Sequence, residues 1–355
     1  MSNRSSRDLR RREPLTDAQL LMMITICIFI GLYSLAMAVW GGGCLRPQQL
    51  FDLFNNNAAL IVIACGMTVV MITGGIDLSV GAVVSLVVMV SVINIEDQGG
   101  NAFTAFLIGL AIGAAFGIVQ GLLVAQLDIQ PFIVTLSGMF FARGVTTMVS
   151  LEPRSVQDES FSALQDARIE IDWLGYETNK GGHIPGRIEW GVIIAIAVVI
   201  VIFVVLRWAR FGRNLYAVGG NEQSALMLGI NVSATRFWAY VLSGVLSGVG
   251  GFVFLLHTGA GNATNAAGAE MTCIAAAIMG GTLLTGGVGN VIGSMFGVLT
   301  IMLIRAIVVA SGLREPWWQS ITTGAMLCFF IILQSLVVQY RGRPHKEKAD
   351  RKAKI

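Results

Sequence analysis

The sequence predicts an all-α polytopic membrane protein with about ten transmembrane helices, and three observations lead to this fold class. Of the 355 residues, 55% are hydrophobic and 13% are charged, whereas ordinary soluble domains carry about 25% charged residues. Several apolar runs reach the ~20 residues that a helix needs to cross a bilayer. The runs are continuous and do not alternate, which excludes a transmembrane β-barrel.

The candidate spans can be placed in order along the chain. A basic segment, residues 1–19, precedes an apolar run at 20–40, which we interpret as a retained helix and not as a cleaved signal peptide. The other runs lie at about 57–73, 78–95, 102–125, 131–150, 190–208, 237–257, 266–284, 289–311 and 317–338. The first two of these, 57–73 and 78–95, could instead form one broken span followed by a re-entrant segment.

Basic residues predict the orientation, because Lys and Arg stay on the cytoplasmic side of a membrane. The N-terminal segment 1–19, the loop 209–236 and the tail 341–355 are therefore predicted to be cytoplasmic. Residues 20–340 then form the transmembrane domain. Within it, the acidic polar segment 151–188 is predicted to be an extracytoplasmic loop, most simply a solvated or disordered one.

The stretch GMTVVMITGGIDLSVGA, residues 66–82, interrupts the second apolar run. Gly74 and Gly75 predict a break, since each glycine weakens a helix by about 1 kcal/mol. Asp77 follows, and an ionisable residue within a membrane is costly enough to indicate a functional site. In the alternative, a cytoplasmic hairpin, Asp77 meets water. The orientation places the stretch near the cytoplasmic ends of two spans and favours a hinge in which Asp77 and Ser79 cap the next helix.

Glycines recur every four residues in several apolar runs, which places them on one face of a helix. Such faces allow two helices to approach closely. We predict that they pack within one subunit, and a dimer interface is the alternative. The series are Gly109, Gly113, Gly117 and Gly121; Gly244 and Gly248; and Gly289, Gly293 and Gly297.

Two glycine-rich segments also resemble each other. TGGIDLSVG at 73–81 and TGGVGNVIG at 285–293 share Thr-Gly-Gly, a β-branched residue and a closing glycine. An internal repeat, common in transporters, would explain the match. Chance similarity between glycine-rich segments is the alternative. Gly289 of the second segment stands where the first has Asp77.

The sequence carries no sign of covalent chemistry. The cysteines and histidines lack metal-ligand spacing, and there is no phosphate-binding loop. We predict no catalytic residue, no metal, no cofactor and no nucleic-acid partner. If ATP drives transport through this chain, another chain must bind the nucleotide.

The cytoplasmic loop contains FGRNLYAVGGNEQSALMLGIN at 211–231. Gly219 and Gly220 are predicted to end an extended segment, and Asn221 to cap a short helix. Glu222 favours the positive end of the helix dipole, and Gly229 is placed to stop the helix. This helix either lies on the membrane surface or docks into a soluble partner, and the sequence leans slightly to the partner.

Four stretches carry a resemblance to a known family: residues 66–82, 129–145, 211–232 and 278–297. Together they resemble the permease subunits of bacterial ABC monosaccharide importers of the ribose, arabinose, xylose and galactose type. The similarity covers most of 50–335. FGRNLYAVGGN, GGTLLTGGVG and the tryptophan pair before the last span are most similar to galactofuranose-importer permeases.

The resemblance implies a non-catalytic permease in the bacterial inner membrane that moves a monosaccharide. Its implied partners are two ATP-binding cassette subunits, a periplasmic sugar-binding protein and a second permease, identical or different. Residues matching the family's cytoplasmic motif would couple to the ATPase: Gly219, Gly220, Asn221, Glu222, Ala225 and Gly229.

A second set of residues is predicted to line or gate the sugar path: Asn57, Gly74, Gly75, Asp77, Ser79 and Gly81. Three other charged residues in or near spans, Arg143, Glu270 and Arg305, are expected to form interhelical pairs or to lie at outer ends. An ion-coupled secondary transporter that uses Asp77 is the alternative function.

Overall fold

The computed structural model describes residues 17–40, 47–177 and 183–353. In chain order the helices are α1 Asp17–Trp40, α2 Pro47–Ile72, α3 Val80–Gln98, α4 Ala102–Ala125, α5 Pro131–Val149, α6 Glu159–Asp166, α7 Trp190–Trp208, α8 Arg210–Gly220, α9 Glu222–Met227, α10 Val232–Thr258, α11 Ala269–Met279, α12 Val291–Ala310 and α13 Pro316–Ala353. The strands are β1 Arg154–Ser155, β2 Arg168–Glu177, β3 His183–Glu189 and β4 Ala260–Gly261. The predicted fold class is confirmed, and residues 1–16 of the basic N-terminus lie outside the described residues.

The number of spans differs from the prediction at one position. Within the described residues, eight helices are long and apolar enough to cross a membrane, and α2 adds a ninth if its segments, which meet at 55°, count as one span. The segment predicted as a span at 266–284 does not form a helix of membrane length. It contains α11, whose 11 residues extend only ~16 Å, about half the hydrocarbon thickness of a bilayer. The cytoplasmic placement of both termini stays a prediction.

The glycine series pack helices against each other inside this subunit, as predicted. In α4, a side chain at Gly113 would overlap the carbonyl oxygen of Gly244 in α10, and one at Gly109 would overlap that of Gly248. Gly293 in α12 faces the carbonyl of Gly280 in the same way. Because backbone lies against backbone along these seams, the alternative of a dimer interface is not needed to explain the glycines.

The polar segment after α5 is folded in its described part, so of the two forms expected for this loop, solvated or disordered, the disordered one is wrong. Strands β2 and β3 pair antiparallel, with Arg168 opposite Glu189. Asn55 of α2 holds this hairpin by donating to the Arg187 carbonyl (3.1 Å) and accepting from the Glu189 N–H (3.0 Å). Glu189 also lies 2.7 Å from His257 Nδ1 at the end of α10. We call this the hairpin end of the bundle.

Candidate functional site

Asp77 lies in the break between α2 and α3 and is only 1% exposed. Its Oδ1 accepts hydrogen bonds from the Ser79 N–H (3.0 Å) and the Ser79 hydroxyl (2.7 Å). Its Oδ2 accepts from the Ser243 hydroxyl of α10 (2.8 Å), and Gln120 of α4 donates to the Ser79 hydroxyl oxygen (2.8 Å). Both carboxylate oxygens are therefore satisfied, and they tie the break to α4 and α10.

This geometry corrects two expectations about the break. A hairpin in which Asp77 meets water is wrong, because the side chain is buried. Ser79 does occupy the N-cap position of α3, but its side chain forms no capping hydrogen bond. The hydroxyl is turned to Asp77 instead, so the pair fixes the turn and does not cap the helix.

The glycines of the break make room for neighbouring groups. Gly74 has a φ of +82°, a conformation that costs L-residues energy and suits glycine. A side chain at Gly75 would overlap the Tyr240 hydroxyl, and one at Gly81 would overlap Glu270 Oε2. The break is therefore packed tightly on α10 and on the first turn of α11.

A second cluster joins three separate segments through glycine backbone, and we call it the glycine junction. A side chain at Gly219, near the end of α8, would overlap the Ile72 carbonyl oxygen and the Gly287 N–H. The Gly287 N–H donates to the same Ile72 carbonyl (2.8 Å), and Gly286 faces Gly74. The two Thr-Gly-Gly segments thus meet each other, and both meet the end of α8.

The segment after the junction is a capped helix. The extended segment predicted before Gly220 is wrong, since residues Arg210–Gly220 form α8. Asn221 caps α9 as predicted, its side chain accepting from the Ser224 N–H (2.7 Å). Gly229 follows α9 with a φ of +78°, as expected of a stop signal, and Glu222 pairs with Arg236 of α10 (2.6 Å).

The two faces of α9 differ. Ala225 is buried against Val218 and Val232 and therefore fixes the helix to the protein. Leu226 and Met227 are exposed, Met227 by 87%. Exposed apolar side chains at a helix tip are typical of a contact surface, so the outward residues are ones that the family motif did not single out.

Several predicted residues lie away from the break. Asn57 lies at the bend of α2 and donates to the Leu53 carbonyl of its own helix, and ~22 Å of helix separates it from the end of α2. Arg143 donates to the carbonyls of Ala263 and Asn265. Arg305 lies toward the hairpin end. Residues 74–81 therefore lie next to the glycine junction, whereas Asn57 lies away from both.

Sequence reasoning missed the partners of Asp77. Gln120 carries the only side-chain amide in Ala102–Ala125, and an amide in an apolar helix indicates a buried hydrogen bond. Ser243 sits one residue before Gly244 of the glycine series. Both signals were present in the sequence, although neither identifies which group is bound.

The Asp77 cluster gives a prediction about stability. Asp77→Leu leaves the hydroxyls of Ser79 and Ser243 without their acceptor, and each buried unpaired group costs about 1–3 kcal/mol. Asp77→Asn keeps one carbonyl oxygen that can accept a hydrogen bond, so it should lower the stability less. We expect Tm in detergent to fall in the order wild type, Asn, Leu. Equal Tm values for the Leu variant and the wild type would contradict this role.

Long apolar helices packed around a buried, hydrogen-bonded carboxylate are the architecture of a multi-pass membrane protein, and similarity to known proteins identifies its class as a transport permease. The chain belongs to the family described as "Branched-chain amino acid transport system / permease component", whose model matches residues 49–331. Among solved structures, none matches this chain.

Named relatives cover most of the chain. It is 38% identical to the inner membrane ABC transporter permease protein YjfF of Escherichia coli, over 91% of this chain and 94% of that one. It is 34% identical to the fructose import permease protein FruG of Bifidobacterium longum, over 90% and 92%. It is 35% identical to the ribose import permease protein RbsC of Escherichia coli, over 71% and 75%.

Proposed function

We propose that this protein is the permease subunit of an ATP-driven monosaccharide importer in the bacterial inner membrane. The observation that carries the proposal is the similarity over most of the chain to permeases named for fructose and ribose import. The family's description names branched-chain amino acids, but the named relatives favour a sugar. Galactofuranose stays a prediction from the sequence motifs.

The permease itself performs no covalent chemistry in this proposal. Two ATP-binding cassette subunits dock at the α9 end, a periplasmic sugar-binding protein docks at the hairpin end, and a second permease, identical or different, completes the pathway. Exposed apolar side chains on α9 support the first contact, and a folded polar hairpin supports the second.

The geometry suggests how α9 would act on the membrane part. α9 follows directly after α8, whose Gly219 contacts the end of α2 and the 286–287 turn without intervening side chains. Movement of α9 by the ATPase would therefore displace the end of α2, and with it the break that carries Asp77. In this role Asp77 braces a gate and the glycines around it bend.

The ion-coupled alternative makes a different demand on Asp77. A site that carries a proton or cation needs the ionisable group, whereas a brace needs only its hydrogen bonds. We expect Asp77→Asn to retain sugar uptake in proteoliposomes that contain the ATPase and the binding protein. Uptake that persists without ATP and collapses with an uncoupler would overturn the importer proposal.

The contact between α9 and the ATPase gives a further prediction. Met227→Glu places a charge on the exposed tip without touching the fold, so we expect the binding protein to stop stimulating ATP hydrolysis. Gln223→Glu, which adds the same charge at another exposed position of α9, tests whether charge alone is responsible. Normal stimulation in the Met227 variant would refute this surface.

Replacement of the helix cap tests the same coupling through the residues that hold α9 in place. Asn221 and Glu222 hold α9 in place through the Ser224 N–H and Arg236. Joint substitution by bulky or oppositely charged residues should therefore abolish stimulated ATPase activity while the membrane part keeps its Tm. A variant that loses both the stimulated ATPase activity and the wild-type Tm would assign these residues to folding instead of coupling.

A further inference from the structure

A cavity of about 710 Å³ lies between α2, α11, α12 and α13, toward the hairpin end. Its volume falls in the ~300–1,000 Å³ range of small-molecule sites. No residue of the 74–81 break or of α9 lines it. Its polar wall comes from four helices or their flanking residues: Asn56, Thr272, Arg305, Gln319, Ser320 and Thr323.

Arg305 is the charged group of this wall. Its Nε and Nη2 donate to the Thr323 hydroxyl (3.1 and 2.8 Å), and Nη2 also donates to Thr272 (3.1 Å). Nη1 contacts only the Met302 sulfur, at 3.8 Å. Within the described part of the chain, no carboxylate lies within ion-pair distance of Arg305. Two threonines thus orient the guanidinium, while Nη1 keeps donors that no oxygen uses.

An arginine kept in a membrane domain without a counter-ion indicates a functional site, because its burial is costly. The amides of Asn56 and Gln319 add groups that both donate and accept hydrogen bonds. The rest of the wall is apolar and includes Ile63 and Phe254. A monosaccharide matches this wall, since its hydroxyls can accept from arginine while its C–H face packs on apolar side chains.

We propose that this cavity is a monosaccharide-binding site, with Arg305 and the amides of Asn56 and Gln319 holding the sugar hydroxyls. The sugar occupies it after delivery at the hairpin end and before it passes the Asp77 break. Thr272 and Thr323 are positioning residues that aim the guanidinium. The assignment rests on the proposed import function and adds where along the chain the sugar is held. It also moves the sugar contacts away from Asp77, whose oxygens are already occupied.

Gly324 allows the cavity to be filled. It lines the cavity, and a side chain there meets no atom within 4 Å. We expect Gly324→Leu to abolish uptake by proteoliposomes of the complete transporter, with labelled D-ribose, D-galactose, D-fructose and galactofuranose as probes. Gly144→Leu is the matched control, because Gly144 is an exposed helical glycine with open space that does not line the cavity, and it should keep the wild-type rate.

Arg305→Lys tests recognition without filling the cavity. Lysine keeps the charge but loses the planar set of donors, so KM for uptake should rise about tenfold, the factor expected when one charge-assisted hydrogen bond is lost. An unchanged KM would overturn the assignment of Arg305. A larger fall in kcat than rise in KM would overturn it equally, because it would indicate a role in movement and not in binding.

The outcomes separate this proposal from the function on which it rests. Wild-type proteoliposomes that take up none of the four probes would contradict the importer function itself. Wild-type uptake together with normal uptake by Gly324→Leu would overturn only the cavity. A Gly324→Leu permease that is folded but fails to associate with a second permease would assign the cavity to that contact, and would also overturn the proposal.

Discussion

The Gly219→Val variant is expected to lose sugar uptake almost completely while the ATPase subunits still bind. Valine would place its Cβ against the Ile72 carbonyl oxygen and the Gly287 N–H. Both are backbone atoms that cannot rotate away, so the end of α8 must move off α2. The ATPase would then act on α9 without displacing the break at 74–81. Stimulated ATP hydrolysis and uptake should both fall in reconstituted vesicles.

The adjacent glycine supplies the control for this experiment. A side chain at Gly220 meets no atom within 4 Å, so Gly220→Ala should transport at the wild-type rate although it changes the same motif. A Gly219→Val variant that transports normally would show that α9 does not act through the glycine junction. Equal losses in both variants would show that the motif matters for another reason than close contact.

The Gly113→Leu variant should not yield a stably folded protein. Over-packing of an ordinary core costs about 1–3 kcal/mol because side chains can shift. At Gly113 the obstacle is the Gly244 carbonyl oxygen and the backbone beside it, so α4 and α10 would have to separate along their length. We expect loss of monodisperse protein in detergent and, where protein survives, a strongly lowered Tm.

Ala111→Leu is the matched control on the same helix. Ala111 is exposed on the outer face of α4, and leucine there adds the same side chain to the opposite surface. Its yield and Tm should equal those of the wild type. If Gly113→Leu behaved like Ala111→Leu, the close approach of the two helices would not be a requirement of the fold.

Much of the fold could be predicted because membrane helices follow directly from apolar length. The apolar runs placed nine of the long helices, and the glycine spacing predicted that α4 packs within the subunit. The exception was α11, since residues 266–284 are apolar enough for a span but contain a short helix followed by a turn. It ends at Gly280, which lies against the Gly293 backbone, and Gly281 follows with a φ of +92°; hydropathy records neither feature.

The candidate site was predictable in its residues but not in its connections. The break at Gly74 and Gly75 and the cap at Asn221 follow from local rules. No local rule states that Gly219, Ile72 and Gly287 share one contact, because they come from distant parts of the chain. The sugar path or gate was predicted at Asn57 and around Asp77, and it stays a prediction. Arg305, which was expected to form an interhelical pair or to lie at an outer end, lines the cavity that we propose as the sugar site.

The short helix α11 has a consequence for how the protein is made. A segment of 11 helical residues is too short to be retained in a bilayer alone, because the hydrocarbon core is ~30 Å thick. The turns after it leave backbone groups that lipid cannot satisfy. During synthesis, α11 should therefore enter the membrane only together with α12, against an α2 already inserted. The order of insertion would then differ from the order of the sequence at this one point.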